Sequence, residues 1–464
     1  MTQRQSADSA LAFATVPPYR RCSGRDVAQP GSASHWGCGG RRFESCRPDQ
    51  FFQLANCRQH RQLSGVTAVQ TLPTAIVLGV DTPIGLTVVR ELGQHGVPVV
   101  AIGRSEGAIG GASRYAQKLL VRPGGRPMAN WLPEIIRETG AAVLFAISES
   151  DLLLLADMPE IIEGCRILTP RKEQLEIVLD KSRTIDAAKK TGLLVPESWQ
   201  PIAQDFDSTA HLAKLKYPAI LKWSDPPRVM PELEAAQIAF EKIEYADSFE
   251  ALLEILQRYK LFGKFPLVQT YCAGFGVGQM LLMHEGKATV CFQHQRLREY
   301  PASGGVSTLC ASLPIEMHAL QMKKSERLLQ SIGWEGPAMV EYRFDPETGD
   351  YWLMEINGRF WGSLPLASQC GAQFAWEQYR VAALGSAPTA LGYGQRRARY
   401  LIPDTRRLFE QLRDPAANKA DELFNYIADF FDPDTGYYVW SWRDPGPLLN
   451  DVKNIVRRLL RLGS

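Results

Sequence analysis

The chain has 464 residues, 45% of them apolar, and a formal net charge of +2, enough for roughly two to four structural units with cores of their own. A charge so close to zero excludes an overall nucleic-acid-binding character, and no apolar run reaches the roughly 18 residues that span a bilayer. Cys165, Cys272, Cys291, Cys310 and Cys370 stand singly, without the spacing of a zinc site or a redox motif, and read as small buried hydrophobes of a reducing cytoplasm.

Residues 1–65 differ from the rest. They are rich in Arg, Gly, Ser and Gln, hold four of the nine cysteines, and show no period that would build a core. A disordered tail and a targeting peptide both fit that composition, although an apolar signal core is missing. A third reading is that Ser23 to Gln50 resembles the conceptual translation of a bacterial tRNA gene. Synonymous codons let RRFES encode the T-arm and CRPDQ the CCA-terminated acceptor strand, while SGR encodes the complementary acceptor end. Val66, as a GTG codon, is then the expected start.

From Thr74 the pattern becomes a parallel α/β alternation: TAIVLGV as strand, IGLTVVRELGQHG as a helix ending on Gly96, VPVVAIG and AAVLFAIS as further strands, and a helix through SDLLLLADM. This predicts an α/β unit over 74–175. Gly79 and Gly85 invite a nicotinamide-binding reading, but their spacing lacks the inner glycine of G-x-G-x-x-G and the second strand ends without a ribose-binding acid. Lys181 reads either as a solvated helix charge or as an anion ligand. Lys222 ends the apolar strand YPAILKW, a poor place for a charge unless an anion waits there.

The next stretch, SDPPRVMPELEAAQIAFEKIEYADSFEAL, carries prolines and predicts a long, stiff segment, with Arg228 and Lys242 as its cations. FPLVQTYCAG is an apolar strand. VGQMLLMHEGK and ATVCFQHQRLREY predict a hairpin turning at Glu285-Gly286. Arg296 and Arg298 alternate with apolar residues, so on a strand they share one face. With Gly304, Gly305 and Ser307 following, they suit a carboxylate or a phosphate; the alternative is two surface arginines beside a glycine turn.

The stretch Gly336 to Ser363, GPAMVEYRFDPETGDYWLMEINGRFWGS, predicts a β-hairpin. A three-residue loop, Glu347-Thr348-Gly349, with Gly349 in the left-handed region, sets Glu341 opposite Glu355 and puts Asn357 on the same face. Two carboxylates and an amide oxygen on one face repel unless a hard cation lies among them. A solvated hairpin face is the alternative, and the apolar run WLMEI around Glu355 argues against it.

Glu341 in MVEYRFD, followed by E-x-N-x-R in MEINGRF, resembles the magnesium-binding end of the ATP-grasp ligases, which join a carboxylate to an amine or thiol through an acyl phosphate. The resemblance runs from about Thr74 to about Gly385, in motifs that are each short and gain specificity from their order. It implies an α/β and α+β architecture: a pre-ATP-grasp α/β domain, an ATP-grasp domain over 176–390 with a lid subdomain at about 223–272, and a C-terminal helical extension over 391–464. By resemblance Lys181 and Lys222 hold the ATP phosphates. Thr270 and Cys272 offer backbone groups to adenine, and Gln269 faces the ribose where a glutamate is more usual. Glu341, Glu355 and Asn357 hold Mg²⁺, with Mn²⁺ as a substitute.

Arg296, Arg298 and Arg359 would orient the acyl acceptor or its intermediate, and the R-R plus GG-x-S pattern is similar to that of peptidoglycan-type amino-acid ligases. The chain departs from the family in two places. Its lid lacks the usual glycines, and FWGSLPLA lacks the Q-V-E-H continuation of biotin carboxylase, which counts against bicarbonate as substrate. The resemblance implies an ADP-forming carboxylate–amine ligase acting on small molecules, cytoplasmic and compatible with a homodimer. A non-catalytic nucleotide-binding module and, behind it, a nicotinamide oxidoreductase are the alternatives. Beyond Gly385, RRLFEQLRD, ADELFNYIADFF and PLLNDVKNIVRRLLRLGS predict amphipathic helices, the last one basic.

Overall fold

The computed structural model describes residues 71–202, 215–224, 226–241, 243–302, 304–389 and 392–462. The readings made for residues 1–65, and Lys242, lie outside the described residues. Val69–Ser464 forms one unit.

The first sheet contains β1 (Ala75–Leu78), β2 (Val99–Gly103), β3 (Lys118–Val121), β4 (Val143–Ala146), β5 (Ile161–Ile162) and β6 (Cys165–Leu168), in the order β3-β2-β1-β4-β6-β5. All its pairs are parallel except β5 with β6. β1, β2 and β4 are buried along their whole length, as their unbroken apolar runs require. Between β1 and the helix Pro83–Gln94 the two glycines serve packing. A Cβ on Gly85 would stand 2.6 Å from the Gly79 carbonyl oxygen, and Gly79 itself has a φ of +101°.

The second sheet, in the order β7-β10-β8-β9, is antiparallel: β7 (Ser198–Trp199), β8 (Ala219–Lys222), β9 (Glu244–Ala246) and β10 (Leu267–Thr270). The proline-bearing stretch after β8 forms the helix Pro226–Ala235, with Pro226 at the start where a missing N–H costs nothing.

The third sheet is the largest: β11 (Phe275–His284), β12 (Lys287–Tyr300), β13 (Val306–Ser312), β14 (Gly336–Phe344), β15 (Tyr351–Asn357), β16 (Arg397–Arg399) and β17 (Thr435–Tyr437), in the order β15-β14-β11-β12-β13-β16-β17. β11 and β12 turn at Glu285-Gly286 as expected, both with positive φ. The C-terminal stretch is not wholly helical. Its helices Leu401–Arg413, Lys419–Ala428 and Gly446–Leu462 fall where amphipathic periodicity places them, but it also lends β16 and β17 to the sheet. Strands of three residues are too short to show a period of their own.

Two apolar clusters join the first and third sheets, one through Val77, Phe145, Met280 and Phe292, the other through Ile76, Leu144, Leu281 and Tyr342. The second sheet has a separate core around Leu221, Trp223, Leu252 and Tyr259. The first and third sheets therefore share a core, while the second stands as a lobe of its own.

Candidate functional site

The third sheet lines up one row of residues across four strands. His294 of β12 pairs with Gly278 of β11, Gly278 with Glu341 of β14, and Glu341 with Glu355 of β15. Directly opposed residues point to the same face, so both glutamates and His294 share it. Asn357 joins them, its Nδ2 donating to Glu355 Oε1 at 2.9 Å.

The Glu341–Glu355 pairing arises differently from the expectation. The Asp345 N–H donates to the Asp350 carbonyl at 2.9 Å and the Gly349 N–H to the Asp345 carbonyl at 2.8 Å, so the loop is residues 346–349 and one residue longer than predicted. Tyr342 then opposes Leu353 while Glu341 opposes Glu355, which leaves Met354 as a bulge that restores the expected register. Gly349 has the expected positive φ, +77°.

Basic groups surround the glutamates. Lys181 begins the helix Lys181–Lys190, whose N-cap Asp180 accepts the N–H groups of Ser182 and Arg183; its Nζ donates to the carbonyls of Trp223 and Ser224 at 3.2 and 3.3 Å. This ties it to the chain just after β8. Lys222, at the end of β8, has its ammonium pushed below the usual lysine range by burial and by Lys181, with Glu355 and Glu341 pulling the other way. Arg296 is ion-paired with Glu341 and sits 3.7 Å from Glu299. Gly276 makes room for it, since a Cβ there would lie 2.9 Å from the Arg296 Cδ.

These charges split the two carboxylates. Burial pushes Glu341 up to about 7, with Arg296 opposing and Glu355 adding to the rise. Desolvation by the surrounding protein acts on Glu355 too, but Asn357, Lys181, Lys222 and Arg296 outweigh it and hold the carboxyl below its ordinary value. Two carboxylates, Glu341 half-buried and Glu355 open to solvent, and an amide oxygen form an all-oxygen donor set of the kind a hard divalent cation takes. Among the described residues no group of three or more His, Cys, Asp or Glu forms a metal cluster, which an Asn-containing set does not contradict.

Sequence reasoning missed His294. Its Nδ1 is 2.8 Å from Ser363 Oγ, its Nε2 is buried without a partner among the described residues, and burial pushes it down to about 3, so the ring is neutral. Gly278 is bare for its sake: a Cβ there would stand 2.6 Å from Nε2. The signal was the alternating glycines of GFGVG on a strand beside H-x-R.

Five further expected site residues have the following contacts. Arg298 does not share a face with Arg296, because a bulge at Leu297 sets Arg298 opposite Leu309 while Arg296 opposes Cys310. Arg298 instead bonds Asp404 at 3.0 and 2.8 Å and pairs with Asp429. The nearby glycine turn is not open either: the Gly305 N–H donates to Glu299 and the Gly304 N–H to the Pro301 carbonyl. Arg359 follows the end of β15, so alternation no longer orients it, and its Nε lies 3.8 Å from Glu149 in the helix Glu149–Ala156. Gln269 is buried and donates to Ser198 Oγ at 2.8 Å, so its amide is spent on the neighbouring strand. The Thr270 N–H is taken by the Glu197 carbonyl at 2.9 Å. Cys272 lies close enough to Lys222 to feel its charge, and burial pushes its thiol up to about 11.

Residues 311–387, which include the whole β14–β15 hairpin, match the family model "Carbamoyl-phosphate synthase L chain, ATP binding domain". Solved structures show the same architecture. The biotin carboxylase domain of Hydrogenobacter thermophilus 2-oxoglutarate carboxylase, solved with MgADP and bicarbonate, is 17% identical with a TM-score of 0.51, over 70% of this chain and 71% of its own. The chain has the ATP-grasp fold. An L-amino acid ligase from Bacillus licheniformis is 15% identical, TM-score 0.51, over 67% of this chain and 74% of its own. N5-carboxyaminoimidazole synthetase from Staphylococcus aureus is 15% identical, TM-score 0.54, over 74% and 86%. No curated protein sequence matches. Within the ATP-grasp fold, the row His294, Glu341, Glu355 lies on the large sheet, and Lys181 and Lys222 reach it from outside that sheet.

Proposed function

We propose that the chain is an ATP-dependent, ADP-forming ligase that joins a carboxylate to an amine. The observation that carries this reading is the convergence of Lys181, Lys222 and the hairpin residues Glu341, Glu355 and Asn357, three stretches well separated in the sequence that act on one another in the fold. In this account the substrate carboxylate oxygen attacks the γ-phosphorus of ATP and ADP leaves. The amine nitrogen then attacks the acyl carbon, phosphate leaves, and the amine proton passes to water or to a neighbouring carboxylate.

Lys181 and Lys222 hold phosphate oxygens, and the partly desolvated Lys222 is poised to bind an anion strongly. Glu341, Glu355 and Asn357 would hold Mg²⁺, which supplies charge stabilisation to phosphoryl transfer when bound. Arg296, paired with Glu341 and near Glu299, would orient the acyl group. His294, neutral and fixed by Ser363, packs over Gly278 on the same face and supports the sheet beneath the site. Arg359, near Glu149, would orient the same acyl group. Arg298 has no part in this assignment. The reading divides the chain into an α/β domain over 74–175, an ATP-grasp domain over 176–390 and a C-terminal extension.

The structural neighbours named as an amino-acid ligase and a carboxyaminoimidazole synthetase support a ligase reaction. A screen of amino acids and small acids for ADP release, read with product masses, tests it. A condensed product with stoichiometric ADP is expected. Nucleotide binding without ADP release across the panel would make the chain a non-catalytic nucleotide-binding module instead.

A further inference from the structure

The last helix, Gly446–Leu462, is held to the protein by its polar side. Asn450 and Asn454, one turn apart, both donate from Nδ2 to the Gly107 carbonyl, at 2.9 and 2.8 Å. The approach is close: a Cβ on Gly107 would stand 2.8 Å from Asn454 Oδ1, and one on Gly446 would stand 2.4 Å from the Ala112 carbonyl oxygen. Leu448, in the first turn, packs against the core that joins the first and third sheets.

Helical spacing then sets what faces outward. Leu449, Val452 and Val456, at i, i+3 and i+7, form one stripe along the helix and are 65, 49 and 48% exposed. Lys453 and Arg457, at i+4 and i+8, run along one edge of that stripe and are exposed as well. The helix carries a single acid, Asp451, which is half-buried and lines a cavity with Arg399 and Tyr437. A surface helix of a globular protein ordinarily turns its apolar stripe to the core. This one turns a polar edge inward and leaves its aliphatic stripe and two cations in solvent, a combination that marks an interaction face.

We infer that this outward face lies on an anionic lipid bilayer, with Leu449, Val452 and Val456 at the acyl boundary and Lys453 and Arg457 on headgroup phosphates. A lipid surface satisfies both halves of the face at once. A nucleic acid would pair the cations and leave the aliphatic stripe in water. A second copy of the chain laying the same stripe on this one would set Lys453 and Arg457 against their own counterparts, with no acid of the helix on that face to offset them. The inference does not rest on the ligase reading.

Co-sedimentation of the full chain with lipid vesicles tests it. The chain should pellet with vesicles of equal parts phosphatidylglycerol and phosphatidylcholine, and much less with phosphatidylcholine alone or at high salt. On the anionic vesicles, Val452→Gln combined with Val456→Gln should weaken binding roughly tenfold, and so should Lys453→Gln combined with Arg457→Gln. All four side chains are exposed, so both double variants should keep the wild-type melting temperature, which separates lost binding from lost fold. Failure to pellet with the anionic vesicles would overturn the inference, as would binding that either double variant leaves unchanged. Sedimentation velocity without lipid decides the rival occupant: a dimer that Val452→Gln with Val456→Gln dissociates would give the face to a second copy and overturn the inference as well.

Discussion

Glu91, in the helix Pro83–Gln94, is fully buried and accepts the N–H groups of Ala375 and Trp376 at 2.8 and 3.2 Å. Burial pushes its carboxyl up to about 7, against the pull of Ser368 and those two N–H groups. A carboxyl whose folded pKa lies above its unfolded value binds its proton more tightly when folded. Its contribution to stability is therefore fully present below about 4.5 and is lost as pH rises through about 7. Glu91→Gln keeps an acceptor for both N–H groups without the charge, so melting curves from pH 5 to 8.5 should show the mutant gaining on wild type as pH rises. An unchanged difference across that range would place the charge elsewhere. Arg298→Ala is expected to act on stability: it strips Asp404 and Asp429 of a buried partner and should cost about 3 kcal/mol or more in denaturant unfolding, with little selective effect on the Michaelis constant of the acid. Lys222, Glu341 and Glu355 were legible as candidates because each is a charge inside an apolar run. The separation of Arg298 from Arg296 was not, because one bulged residue, Leu297, reverses the face and leaves no mark in the alternation.

The hairpin β14–β15 shows how an element can be read correctly through a wrong detail. Its strands, its turn and the Glu341–Glu355 pairing follow from β-branched runs around DPETGD, yet a longer loop and a bulge at Met354 cancel each other to produce that pairing. Bulges depend on the local twist of two strands together, which a single strand's sequence does not encode. β16 and β17 went unread for a related reason, since only the neighbouring edge of β13 makes three residues a strand. β11 offers the clearest element-scale test. Gly278→Ala introduces a Cβ 2.6 Å from His294 Nε2 and must displace the ring or the strand. If the imidazole supports the site from beneath, turnover should fall at least tenfold while the melting temperature drops by only a few degrees. Full activity would show that the site does not depend on where His294 sits.

At the scale of the molecule, the C-terminal stretch is stitched to the first sheet's unit through Asp444. That carboxylate takes Arg90 Nε at 2.9 Å, Ser113 Oγ at 2.7 Å and the Arg114 N–H at 2.9 Å. Asp444→Ala leaves Arg90 without its ion partner and its neighbours without an acceptor, so it should destabilise the fold by about 3–5 kcal/mol, read as a lower denaturant midpoint. This tie was not legible, because RDPG reads as a turn and its partners lie 330 to 354 residues away. The parallel α/β alternation before residue 175 was legible, and so was the order of motifs leading to the hairpin. The central claim is that Glu355 holds the cation, and thermal melting with Mg²⁺ and a non-hydrolysable ATP analogue tests it most directly. Glu355→Gln removes a charge that Asn357, Lys181, Lys222 and Arg296 stabilise, so without Mg²⁺ its melting temperature should equal that of wild type or fall slightly below it. Added Mg²⁺ and analogue should stabilise wild type markedly and the mutant much less, alongside a loss in turnover of roughly two orders of magnitude or more. An undiminished Mg²⁺-dependent stabilisation in Glu355→Gln, with ADP formation intact, would contradict the account.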